Sequence, residues 1–139
     1  MKLDELYAKL DVWAPDVLSI LRIMAGLLFL QHGLQKVFGF ADAAGVPLLS
    51  LAGLAGLIEL VGGALLTIGL FTRLCAFVMS GEMAFGYFMV HAPRAFMPIE
   101  NGGDLAILFC FVFLYLVFAG PGRWSADAMA RGTPTARRT

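Results

Sequence analysis

Arg22, His32, Lys36, Glu59 and Glu82 interrupt stretches that are otherwise rich in aliphatic and aromatic residues. A charge at the centre of a bilayer costs about 3 kcal/mol on insertion scales, so such groups face a helix bundle interior and pair with one another. They are candidates for places where ligands or protons are handled. At roughly 100° per residue, Arg22, Gly26, Phe29, His32, Gly33 and Lys36 share an arc of about 120° on one helix. Gln31 points the other way, and Gln35 lies between the two directions. A second helix would carry Ala52, Gly56, Glu59 and Gly63 on one face, and a third Met79, Glu82 and Gly86.

Depth along the helices divides these groups into two sets. Glu59 and Glu82 fall near the middle of their stretches, and Arg22, about 8 Å away at 1.5 Å per residue, reaches either through its long side chain. His32 lies at the upper edge of this midplane set. Lys36, His91, Asn101 and Asp104 form an outer set. Two readings stay open. In one the groups line a polar pocket that donates hydrogen bonds and protons. In the other Arg22 with a glutamate, and Lys36 with Asp104, are static pairs that fix helix register.

His32 has the chemistry to bond a quinone oxygen, relay a proton or ligate a metal. With His91 the only other histidine, no haem or metal spacing is present, and no metal is expected. Cys75 and Cys110 lie in separate apolar stretches rather than in a paired motif, at depths about 14 Å apart, too far for a disulfide. There is no Walker loop, nucleophile elbow or dinucleotide fingerprint, so no residue is assigned as catalytic.

The elements that must position these residues follow from composition. The 139 residues are 60% hydrophobic and 14% charged, against about 25% charged in a soluble domain. Ten basic residues balance ten acidic ones, and no basic stripe with interleaved aromatics suggests nucleic acid. Four spans are predicted: 16–38 after Pro15, 48–70 opened by Pro47, 73–91 with Thr72 as N-cap, and a fourth begun by Asn101 and Asp104 and closed by Gly120-Pro121-Gly122. Gly26, Gly33, Gly56, Gly62, Gly63 and Gly86, with Gly53 and Gly81, allow close helix approach. Phe109, Phe111, Phe113 and Phe118 spread around the last span as bulk, some of them toward lipid.

The expected architecture is all-α: an integral membrane four-helix antiparallel bundle over 15–127. Residues 1–14 form a short interfacial amphipathic helix, with Leu3, Leu6, Tyr7, Leu10 and Trp13 on its apolar side. Residues 128–139 form a disordered tail. Lys2, Lys9, Arg73, Arg123, Arg131, Arg137 and Arg138 collect on one side, against Lys36 and Arg94 on the other. Both termini are therefore placed in the cytoplasm.

Four motifs give the sequence a family resemblance: "LRIMAGLLFLQHGLQKVFGF" (21–40), "IELVGGALLTIGLFTR" (58–73), "PIENGGDLA" (98–106) and "GPGRWSAD" (120–127). Together they make the chain similar, from about Leu18 to Asp127, to the DoxX family of small bacterial four-helix membrane proteins. The matching positions are Arg22, Gly33, Lys36, Glu59, Gly62, Gly63, Asn101 and Gly102, with Asp104 where many relatives have glutamate. The resemblance implies the bacterial plasma membrane and a link to quinone or thiol redox systems, though many members have no assigned reaction. The absence of paired cysteines argues against direct dithiol chemistry.

Three functions follow as expectations. The first is a quinone-linked oxidoreductase component, in which a quinone lies against Phe29 while His32, Lys36 or Glu59 supplies hydrogen bonds and protons and a redox partner supplies electrons. The second is a non-enzymatic membrane scaffold for a redox or stress-response partner. The third is a small-solute transporter, for which four spans suffice only in a homo-oligomer.

Overall fold

A computed structural model describes residues 2–41 and 44–132. Among these residues all regular structure is helical: α1 (Leu3–Phe38), α2 (Leu51–Ile68), α3 (Thr72–Gly86) prolonged by a π-helical turn (Tyr87–His91), α4 (Pro98–Asn101), α5 (Asp104–Ala119) and α6 (Ala126–Ala130). Three helices are long and apolar enough to cross a membrane: α1, α2, and α3 with its π turn. The apolar α5 has 16 residues, a length of about 24 Å at 1.5 Å per residue.

α1 differs from expectation in being one helix of 36 residues that continues through Pro15. Proline in a helix interior removes one amide donor and disfavours the preceding turn. Residues 11–14 are exposed, so the carbonyl left without its amide partner has access to the surroundings. The N-terminal apolar side is largely uncovered: Leu3, Tyr7, Leu10 and Trp13 are each more than half exposed, and Leu6 is half-buried. α2 begins three residues later than the expected position, because Ser50 rather than Pro47 caps it, its hydroxyl accepting from the Gly53 amide at 3.0 Å. The expected tail over 128–139 is helical through Ala130, and 133–139 lie outside the described residues.

Packing follows the glycines. α1 runs along α2, α3 runs along α5, and α2 also meets α3. A methyl group on Gly63 would sit 2.6 Å from the Leu30 amide, and one on Gly26 would sit 2.8 Å from that of Thr67. Gly33 likewise abuts the Leu60 backbone, Gly56 the Lys36 stem, and Gly62 the sulfur of Met79. Gly86 and Gly81 depart from the pattern, with nothing within 4 Å of where a Cβ would stand. The core between these helices is built from Ala25, Phe29, Leu66, Met79, Phe113 and Leu116, among others. Phe109 and Phe113 point into it; Phe111 and Phe118 point out.

Candidate functional site

Arg22 is the first surprise. Its side chain is 1% exposed. It meets neither glutamate: it donates to the carbonyls of Pro121, of Trp124 at 2.7 Å and of Thr67 at 3.4 Å. Around it the "GPGRWSAD" segment sutures four helices. The Trp124 amide donates to Ser19 Oγ (3.0 Å), Arg123 pairs with Asp16 (2.7 Å), and Arg73 donates to the carbonyls of Val117 and Phe118 at the end of α5. Asp127 caps α3 from a distance in sequence, its two oxygens accepting from the Phe71 and Thr72 amides at 2.9 Å. Thr72 is thus the first residue of α3 rather than its cap. Gly122 at φ +78° brings the chain against Ser19, where a side chain would have no room.

Lys36 also departs from the depth division. Its ammonium meets Glu59 Oε1 at 2.6 Å, and not Asp104, which is exposed at the start of α5. The reason is local. Gly56 lets the lysine stem lie on α2, so the charge descends towards Glu59, one turn further along. Glu59 is 3% exposed, and its second oxygen is buried without a hydrogen-bond partner. Both oxygens of Glu82 are also buried and unpaired.

Between these helices lies a cavity of about 270 Å³. Phe29 and His32 of α1, Glu59 of α2 and Met83 of α3 line it, and α5 closes it with Leu105 and Phe109. The aromatic floor is continuous: Phe29 meets Phe113 edge-to-face at 4.7 Å and Phe109 at 5.2 Å. His91 reaches the same cavity from the π turn, whose i→i+5 bond (Ala92 amide to Tyr87 carbonyl, 2.9 Å) gives the chain a register that a regular helix lacks.

His91 Nδ1 lies 3.1 Å from the Asn101 carbonyl. A carbonyl only accepts, so Nδ1 carries the proton, and Nε2 is the nitrogen left for chemistry. Asn101 fixes this end of the fold without lining the cavity. It ends α4, donates to the Ala95 carbonyl (3.0 Å) and Tyr87 hydroxyl (3.3 Å), and accepts from the Gly103 amide (2.8 Å). It is therefore not the cap of α5 that its spacing with Asp104 suggests; Gly103 occupies that position.

Gln31 and Gln35 line a second hollow of about 210 Å³ with Leu28 and Phe40. His32 borders both hollows, which gives the glutamines a polar neighbour. Cys75 and Cys110 are free thiols, and no group of three His, Cys, Asp or Glu able to hold a metal occurs among the described residues.

The DoxX family pattern matches residues 17–92, more than half of the chain. An uncharacterised protein of Haemophilus influenzae is 42% identical over 128 residues, covering 85% of this chain and 93% of its own. An uncharacterised membrane protein of Mycobacterium tuberculosis is 32% identical over 133 residues, with 81% and 80% covered. No solved structure matches the chain.

Proposed function

The chain belongs to the DoxX family of membrane proteins, and from that premise we propose that its cavity receives the headgroup of a lipid-soluble quinone, as part of a membrane redox system. The finer architecture proposed with it is a four-helix antiparallel bundle in the bacterial inner membrane, with both termini cytoplasmic. The short link from α2 to α3 and the excess of Lys and Arg on the terminal side support this arrangement.

One observation carries the functional reading. The cavity sets a wall of Phe29 and Phe109 against His32, His91 and Glu59. A planar ring with two carbonyl oxygens needs such surroundings: apolar faces for the ring and, at its edge, groups that donate a hydrogen bond when protonated. Reduction of a quinone to the quinol takes two electrons and two protons. Glu59 and the histidines supply and accept protons at the cavity, and the electrons come from a redox partner protein or a soluble reductant.

Titration of the purified protein in lipid nanodiscs with short-chain benzoquinone and naphthoquinone analogues tests this. Saturable binding is expected, weakened about tenfold or more by Glu59→Gln or His32→Ala, a loss of about 1.4 kcal/mol or more. Absence of saturable binding, or affinity indifferent to both changes, overturns it. A second reading, a scaffold for a redox partner, draws on the exposed apolar positions of the first turns of α1. A stoichiometric partner lost when those positions are made polar would favour it, and capture of no stoichiometric partner by the unaltered protein would remove it.

A further inference from the structure

Lys36 of α1 pairs with Glu59 of α2, Glu82 of α3 lies within electrostatic reach of both, and the three charges do not cancel. The glycine contacts show how they are placed. Gly62 of α2 rests on Met79 of α3, and the two helices, joined by the turn at 69–71, run in opposite directions. Stepping back three residues from Gly62 reaches Glu59, and stepping forward three from Met79 reaches Glu82. Both steps move about 4.5 Å the same way along the pair. Gly56, one turn beyond Glu59, carries the stem of Lys36 from α1.

Lys36 is committed to Glu59 Oε1. Glu59 Oε2 and both oxygens of Glu82 are shielded from solvent, with no donor in reach. With both acids ionised the set would carry one net negative charge among unpaired buried oxygens, an arrangement that burial makes strongly unfavourable.

Among the described residues no other cation is paired with these oxygens. On α5, Asp104 is exposed and of the wrong sign. His91, held through Nδ1 on the Asn101 carbonyl, and His32, exposed at the cavity edge, make no hydrogen bond to Glu59 or Glu82. Arg22 is spent on carbonyls at the far end of α5. One proton restores neutrality and turns an unpaired acceptor into a donor.

We infer that Lys36, Glu59 and Glu82 form a one-proton binding site, in which two carboxyl groups share a single exchangeable proton. Glu59, which lines the cavity, is the member that exchanges it with the cavity, and Glu82 is the store behind it. Transfer breaks one carboxylic O–H bond, leaves a carboxylate and moves a proton without electrons, so the site operates with any ligand that gains or loses a proton. It does not depend on the quinone reading.

Infrared difference spectroscopy of the full-length protein in nanodiscs at neutral pH tests the site without any ligand. A protonated-carboxyl C=O band is expected that shifts on ¹³C-glutamate labelling and exchanges in D₂O. It should move in Glu82→Asp and lose at least half its intensity in Glu82→Gln. Circular dichroism identifies the variants that fold, and the labelled wild-type spectrum decides if neither does. No glutamic-acid band in the labelled wild type overturns the inference, as does a band unchanged in both folded variants. Replacement of the band by carboxylate absorption on adding sodium or potassium at fixed pH also overturns it, assigning the site to a metal cation instead.

Discussion

Arg22→Met separates holding the fold together from serving the cavity. The guanidinium is 1% exposed, so water does not replace the bonds it loses, and methionine keeps most of the stem volume. Hydrogen bonds from a charged donor contribute about 1.5–3 kcal/mol each. The bonds to Pro121 and Trp124 therefore represent roughly 3–6 kcal/mol, and the 3.4 Å contact with Thr67 adds little. Relief of the cost of burying the guanidinium returns part of this, while three carbonyls lose their donor. The net expected loss is about 3 kcal/mol, and Arg22→Lys should lose less by retaining one donor.

Unfolding in mixed micelles at rising denaturing-detergent fraction measures it. Trp124 sits in the latch formed by residues 120–127 around Arg22 and is one of two tryptophans, so its fluorescence should report early release of the C-terminal segment. Ligand affinity of the folded fraction should be unchanged. A stability loss under about 1 kcal/mol, or lost affinity with stability intact, would refute the assignment of Arg22 to the latch.

Other perturbations follow from the same geometry. Lys36→Met leaves Glu59 buried without its cation; because the lysine is one-third exposed, the expected destabilisation is about 1–3 kcal/mol, below that of a fully buried pair, and Lys36→Met with Glu59→Gln together should recover part of it in a double-mutant cycle. Gly63→Leu drives a side chain into the Leu30 backbone and should cost more than about 3 kcal/mol in the same unfolding titration, whereas Gly86→Ala, with open space around it, should change stability by less than about 1 kcal/mol. Burial acts to raise the Asp127 pKa, but the Thr72 and Phe71 amides and Arg131 outweigh it and hold it below its ordinary 3.8. Its contribution is complete above the unfolded pKa and lost as pH falls through the folded one, so acid below about pH 4 should weaken the latch in the wild type but not in Asp127→Asn.

Much of this was legible from the order of residues. Apolar length identifies α1, α2 and α3, and helical periodicity places Gly26, Phe29, Gly33, Gly56, Glu59 and Gly63 on the buried faces that they occupy. The pairings were not legible, for definite physical reasons. Counting depth by backbone position put Lys36 above Glu59, but a lysine stem spans more than a helical turn and follows whichever glycine gives it room. Arg22 bonds carbonyls 99 and 102 residues away, and main-chain acceptors leave no trace in side-chain spacing. Asp127 caps α3 across 55 residues, which no local motif can announce. The π turn that carries His91 looks like ordinary helix in sequence. Arg22 does not join the glutamates as expected; Lys36 of α1 pairs with Glu59 of α2 instead.

Photoaffinity labelling with an azidoquinone in nanodiscs, mapped by peptide mass spectrometry, tests the central claim most directly. The account predicts adducts confined to the α1 and α5 segments around Phe29, His32, Leu105 and Phe109, displaced by excess unlabelled quinone and reduced by Phe109→Trp, which takes up part of the cavity. Labelling scattered over the lipid-facing surface, or concentrated elsewhere and indifferent to competitor, would contradict it.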